Sequence, residues 1–270
     1  MRGITLGQHL AGDSPIHRLD PRTKLVAVLV YTVALFSARG WPAYALLGAL
    51  LVAAFLASRI SLRYMVRALR PVLFILSFTV IINLFWVRGE VLWRLWRLTI
   101  TREGLALAGA MGFRLSMLVI ASSLLTLTTS PIALTDGLEH LLSPGRRIGI
   151  PAHELAMMLT IALRFIPTLL GEADKIMKAQ MARGADFSRG GLVQRARSLL
   201  PLLVPLFVSA FRRADELATA MEARCYRGGE GRTRLRALRL TGLDLATGVV
   251  LLVVTAAVFY LRWQGRGGIL

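Results

Sequence analysis

The sequence predicts an all-α integral membrane protein: about five transmembrane helices plus a cytoplasmic coupling region of amphipathic helices. Three observations lead there. Of 270 residues, 55% are hydrophobic, and the mean hydropathy of +0.60 lies far above that of an ordinary soluble domain. Apolar runs that approach the thickness of a bilayer recur along the chain, separated by basic, turn-forming stretches. Two copies of one pattern, EADKIMKAQMARG at 172–184 and RADELATAMEARC at 213–225, align without a gap and place their apolar residues at helical spacing.

The net charge of +18 would point to nucleic acid in a soluble protein. In a membrane protein it has a plainer cause, because Lys and Arg hold cytoplasmic loops against the anionic inner leaflet. Membrane lipid is therefore an expected partner and nucleic acid is not. A single cysteine, Cys225, excludes an internal disulfide and a Cys-rich metal site. The N-terminus is polar before its first apolar run and lacks a small-residue cleavage site, so no removable signal peptide is expected.

Residues 1–129 are expected to form an N-terminal membrane region of four spans. Asp20 and Pro21 make an N-cap and first-turn pair for a helix that is apolar from Leu25 to Ser37. Gly40-Trp41-Pro42 breaks it, and a second run from Ala43 to Ala57 completes a hairpin. Arg59, Arg63, Arg67 and Arg70 recur at three- and four-residue intervals, on one face of a short helix at the cytoplasmic surface. Pro71 opens a third span to Val87, in which Asn83 is expected to hydrogen-bond between helices. Residues 88–102 fit poorly: Trp93 and Trp96 suit an interfacial belt, whereas Arg88, Arg94, Arg97 and Arg102 are basic on the supposed outer side. The fourth span, Gly104 to Thr129, is interrupted only by Arg114, which is read either as a functional charge or as a snorkelling one.

From 130 to 240 the character changes to a cytoplasmic and interfacial coupling region, which holds 17 of the 33 Lys and Arg and 10 of the 15 acidic residues. Within it, Leu155–Leu170 contains Arg164 and Pro167, and Leu199–Phe211 contains Pro201 and Pro205. Both runs are broken by proline, so re-entrant or partly buried helices are expected. The six basic residues between 172 and 198 keep that connection on the cytoplasmic side, with Arg183 and Arg224 in one compartment. Residues 241–270 supply a C-terminal transmembrane helix, with Asp244 at its entrance where a helix N-terminus favours an anion.

Each copy of the repeated pattern ends in an arginine preceded by alanine. Such a planar five-donor fork suits a carboxylate or a set of orphan carbonyls, although one copy alone would read as a solvated helix end. Gly184 suits the left-handed residue that stops a helix, and Cys225 in the second copy is a poorer stop. Catalytic chemistry is missing: there is no Walker A loop, and His153-Glu154 begins like a zincin motif but has Met157 at the second histidine position. Asp136, Glu139 and Glu154 fit solvated helix faces, and Ser122, Ser123 and Thr126 to Ser130 fit interhelical hydrogen bonds.

Five motifs, in order, resemble a known family. Asp13-Ser14-Pro15-Ile16-His17-Arg18-Leu19-Asp20-Pro21-Arg22-Thr23-Lys24, Thr128-Thr129-Ser130-Pro131, Arg164-Phe165-Ile166-Pro167, Ala182-Arg183-Gly184 and Ala223-Arg224-Cys225-Tyr226 are similar to signatures of one family. It comprises the transmembrane T components of energy-coupling factor transporters, including the cobalt-transport permease CbiQ. The resemblance implies a non-catalytic subunit of an ATP-driven importer of vitamins or transition metals. It implies that Arg183 and Arg224 terminate coupling helices that dock in two cytoplasmic ATPase subunits, with Ala182, Gly184 and Ala223 permitting close approach. Cys225 departs from the usual glycine and leaves the ending of the second helix open. Arg164, Pro167, Asn83 and Arg114 fall to interhelical contacts or to the surface for a separate substrate-binding S component. ATP and Mg would sit on the partner ATPases, with no cofactor and no metal on this chain. Two readings of other classes compete. A self-contained secondary transporter would use Arg114 or Arg164, but no acidic residue lies at a span centre. In a basic membrane scaffold, Arg183 would matter no more than Arg195.

Overall fold

The computed structural model describes residues 10, 12–87, 89–95, 98–149, 151–185, 191, 199–228 and 238–264. Its helices, in chain order, begin with α1 (Pro15–Arg18), α2 (Pro21–Ser37), α3 (Trp41–Ser58), α4 (Leu62–Leu69) and α5 (Leu73–Trp86). An antiparallel hairpin of β1 (Val91–Leu95) and β2 (Leu98–Thr101) follows, then α6 (Arg102–Thr128), α7 (Pro131–Leu142) and a 3-10 turn over Ser143–Ile148. The last elements are α8 (Ala152–Ala182), α9 (Leu200–Ala223) and α10 (Gly242–Trp263). The chain divides into two compact units, one of Gly7–Leu138 with Arg236–Leu270 and one built on Glu139–Leu235.

Four helices, α3, α6, α8 and α10, are long and apolar enough to cross a membrane, and α4 with α5 would make a fifth span broken by a 59° bend. A multi-pass, all-helical membrane protein is what this inventory describes, with the hairpin as its one exception among the described residues. The hairpin resolves the awkward stretch at 88–102: β-branched Val91, Thr99, Ile100 and Thr101 favour strands. Arg88, Trp96 and Arg97 lie outside the described residues. The third span also differs from expectation, since α5 starts at Leu73 and has 14 residues, about 21 Å of helix.

In the first unit the core gathers Tyr31, Ala34 and Leu35 of α2, Tyr44, Leu47 and Leu51 of α3, Met117 and Ala121 of α6, and Val258 of α10. Small residues let the backbones approach, as membrane helices require when lipid is as apolar as the core itself. Gly104 shows this best: a Cβ there would lie 3.0 Å from the Asn83 carbonyl oxygen of α5. Leu29, Leu56 and Leu252 are exposed on the outer faces of their helices.

A buried polar knot closes one end of this bundle. Asp20 caps α2 by accepting from the Arg22 N–H, as the sequence suggested, and its own N–H donates to Asp244 Oδ1 at 2.8 Å. Asp244 Oδ2 accepts from the backbone and hydroxyl of Thr241, so one carboxylate caps α10 and holds the start of α2. Lys24 donates from Nζ to the carbonyls of His17 and Thr128 at 3.1 Å each, satisfying the ends of α1 and α6. The Asp-Pro-Arg-Thr-Lys run thus forms a structural joint between the N-terminal segment, α6 and the last helix.

Several expectations about polar residues are corrected. Asn83 donates to Thr79 within its own helix, and Thr126 and Thr128 bond back to carbonyls of α6, because a short polar side chain reaches its own preceding turn more readily than a neighbour. Arg59 is not on the basic helix; it closes α3 in the left-handed conformation at φ 55°. Arg63 and Arg67 do share α4, with Arg70 at its end.

Candidate coupling site

Pro167 and Pro205 do not break their runs as expected. Each lies inside a continuous helix, so apolar run and Arg-tipped pattern form one rod: α8 has 31 residues and α9 has 24. A proline removes one backbone hydrogen bond but leaves the turns on either side intact. Pro201 sits in the first turn of α9, where its missing N–H costs nothing.

Both rods end the same way. Arg183 is the C-cap of α8; the Gly184 N–H donates to Met181 O and the Ala185 N–H to Gln180 O, each at 3.0 Å. Arg224 is the C-cap of α9; the Cys225 N–H donates to Glu222 O at 2.8 Å and the Tyr226 N–H to Met221 O at 3.0 Å. These are two Schellman motifs in the same register, with Gly184 at φ 92° and Cys225 at φ 54°. The ending left open by the Cys225 departure is therefore settled: the cysteine takes the left-handed conformation despite its Cβ. That conformation disfavours a side-chain-bearing residue by about 1 kcal/mol, so Cys225→Gly should raise the thermal midpoint in detergent by about 2 °C. Ala182, Arg183, Gly184, Ala223, Arg224 and Cys225 are all exposed.

The repeat also governs how the rods meet. Glu172 and Arg213 hold the first position of their respective copies, and the Arg213 guanidinium donates to Glu172 Oε2 from Nη2 at 3.1 Å and from Nε at 3.3 Å. Ser209 donates to the other carboxylate oxygen at 2.6 Å. Near the start of α8, His153 is bonded through Nε2 to the Tyr226 hydroxyl and through Nδ1 to Glu139, both at 3.0 Å. The contacts thus run in opposite order along the two helices, and α8 and α9 are antiparallel. From the Glu172–Arg213 junction each tip lies about 16 Å along its own helix, in opposing directions, which sets the two arginines about 30 Å apart.

Sequence reading missed the junction residues Glu172, Ser209 and Arg213 and the anchor His153, Tyr226 and Glu139. Glu139, expected on a solvated face, has a side chain only 16% exposed and paired with His153. The alignment held a signal for the junction: Glu172 and Arg213 are opposite charges at equivalent positions. Of the remaining predicted site residues, Arg164 and Pro167 lie exposed on α8. Arg114 is in the first unit, bonded to the Tyr44 hydroxyl and stacked over Phe36 at 5.7 Å, which places it beside the α2–α3 turn. Arg164 and Pro167 lie well back along α8 from the Arg183 tip, outside the repeated pattern. Among the described residues no group of His, Cys, Asp or Glu could hold a metal ion.

Comparison with known proteins gives the family. Residues 12–235 match the CbiQ family, described as cobalt transport protein. The chain is 60% identical over 246 residues to the energy-coupling factor transporter transmembrane protein EcfT of Thermosediminibacter oceani, covering 91% of this chain and 93% of that one. It is 54% identical over 260 residues to the EcfT protein of Acidaminococcus fermentans, covering 96% and 97%. The corresponding protein of Bacillus subtilis is 44% identical over 263 residues, covering 97% and 99%. With two like-ended helices crossing at equivalent positions, and with relatives matched along nearly their whole length, this chain belongs to the CbiQ family of energy-coupling factor transporter transmembrane proteins.

Proposed function

We propose that this chain transmits the motion of two cytoplasmic ATPases to a separate S component, which captures and releases a vitamin or transition-metal ion. Arg183 and Arg224 grip one ATPase each, with ATP and Mg bound by those partners and no cofactor held here. The observation that carries this reading is the pair of matching Schellman-ended arginine tips on antiparallel helices. An arginine fork at an exposed C-terminus can enter a groove lined by carboxylates or carbonyls, and flanking Ala182, Gly184 and Ala223 keep the approach clear. Tips about 30 Å apart suit two docking sites on two subunits rather than one.

The antiparallel arrangement also limits how the pair lies. If α8 crossed the bilayer, Arg183 and Arg224 would emerge on opposite faces; with both tips in the cytosol, α8 and α9 lie along the membrane surface. Their exposed apolar residues, such as Met158, Val204, Phe207 and Phe211, then face the bilayer and the S component. ATP-driven approach of the ATPases would move the two tips and change the crossing at Glu172–Arg213, altering that apolar surface. The N-terminus and residues 130–240 are cytoplasmic in this reading. Nothing in this account requires catalysis by the chain itself.

The test is purification of the tagged chain from its native membrane, with identification of the retained proteins and assay of their ATP hydrolysis. Retention of ATPases with an S component supports the proposal, and retention of neither overturns it. The junction makes a further prediction. Glu172→Arg should cut transport by about tenfold while ATP hydrolysis persists, and adding Arg213→Glu should restore most of it, because the pair then re-forms with reversed polarity.

A further inference from the structure

The corner where α3 gives way to α4 carries chemistry that neither coupling tip uses. Arg59 closes α3 at φ 55°, a conformation that glycine would adopt without strain; strain retained at such a position points to work done by the side chain. Beside it opens a pocket of about 390 Å³ lined by His17, Ser58, Arg59, Ser61 and Tyr64, together with Asp13. Asp13 is nearly fully exposed and faces Arg18 at 3.9 Å. Ser61 precedes α4 but makes no capping bond with its hydroxyl. Arg63 and Arg67 follow on the exposed surface, with Arg67 over the Tyr64 ring at 5.9 Å. Among the described residues no carboxylate is paired with Arg59, Arg63 or Arg67.

The same helix exposes apolar side chains. Met65 is buried, whereas Leu62 and Val66 are 68% and 62% exposed. Guanidinium groups and a hydroxyl thus stand beside uncovered hydrocarbon on one turn. Water solvates only the first half of that surface, and a free phosphate would leave the second half bare. An anionic phospholipid satisfies both. We propose that the α3–α4 corner binds the headgroup phosphate of an anionic phospholipid, Arg59 and Arg63 holding the phosphate while Leu62 and Val66 lie against the acyl chains. This lipid site belongs to the first unit and does not depend on the ATPase docking proposed for α8 and α9.

The test uses the full chain in neutral detergent, titrated with phosphatidylglycerol and, in parallel, with phosphatidylcholine of the same acyl chains, bound lipid being read by native mass spectrometry. The chain should prefer phosphatidylglycerol, and Arg59→Gly and Arg63→Gln should each weaken that binding by about fivefold. Arg59→Gly should at the same time keep or raise the thermal midpoint without lipid, because it removes the left-handed strain; a purely structural role for Arg59 would leave lipid binding untouched. Arg39→Gln, an exposed arginine in the turn at the other end of α3, should change nothing. Equal losses from Arg39→Gln and Arg59→Gly would replace the site by diffuse charge and overturn the proposal. So would displacement of phosphatidylglycerol by millimolar inorganic phosphate, or unchanged binding in both corner variants.

Discussion

Replacing Arg183 and Arg224 together by glutamate should leave the chain inserted in the membrane and folded, yet reduce retained ATPase by on the order of a hundredfold or more. Both side chains are exposed C-caps, and neither is paired within the described structure, so their loss removes no internal contact. Reversing the charge turns a donor fork into an acceptor inside a groove that would be built to accept donors, which costs more than truncation. Each single variant should retain partial binding through the other tip, because the second contact is intramolecular once the first has formed. Co-purification of the ATPases with wild type, each single variant and the double variant measures this order. A basic scaffold predicts instead that any arginine in the segment, Arg212 for instance, matters equally.

The second large effect concerns stability. Asp244→Asn should destabilise the first unit by about 3–5 kcal/mol, because an amide would present N–H groups to donors that already point at that position. Those donors are the N–H of Asp20 and the backbone and hydroxyl of Thr241. Lys24→Met should be comparably harmful, since it leaves the His17 and Thr128 carbonyls without their donor. Folded yield after detergent extraction, followed by a thermal scan monitored on intrinsic Trp fluorescence, reads both. Losses confined to transport with an unchanged thermal midpoint would show that the knot is not structural.

How far the sequence revealed the molecule depended on how local the physics was. The Asp20 cap, the break at Gly40 and the end of α8 at Arg183–Gly184 follow from short-range rules and appear at the expected positions, whereas the end of α9, left open by Cys225, was legible only in the structure. Pro167 and Pro205 are poor signals of a helix break, because the surrounding turns of long rods tolerate a lost hydrogen bond. The hairpin was hard to see because Trp93 and Arg94 suit a membrane interface as well as a strand, although Val91, Thr99, Ile100 and Thr101 are β-branched. Asp244 was visible only as an anion at a helix N-terminus; its bond to Asp20 joins residues too distant in the chain for any periodicity to report. The Glu172–Arg213 junction was hidden in plain alignment, since repeated patterns invite comparison of likenesses and these two positions are opposites.

The most direct measurement of the central claim uses the chain's only cysteine. Cys225 is exposed next to Arg224, and Arg183→Cys in a Cys225→Ser background supplies the matching probe at the other tip. A membrane-impermeant maleimide applied to oriented vesicles should label both positions from the cytoplasmic side alone. Labelling of position 183 from one face and position 225 from the other would mean that α8 and α9 cross the bilayer, and the account of two arms working from one surface would fail.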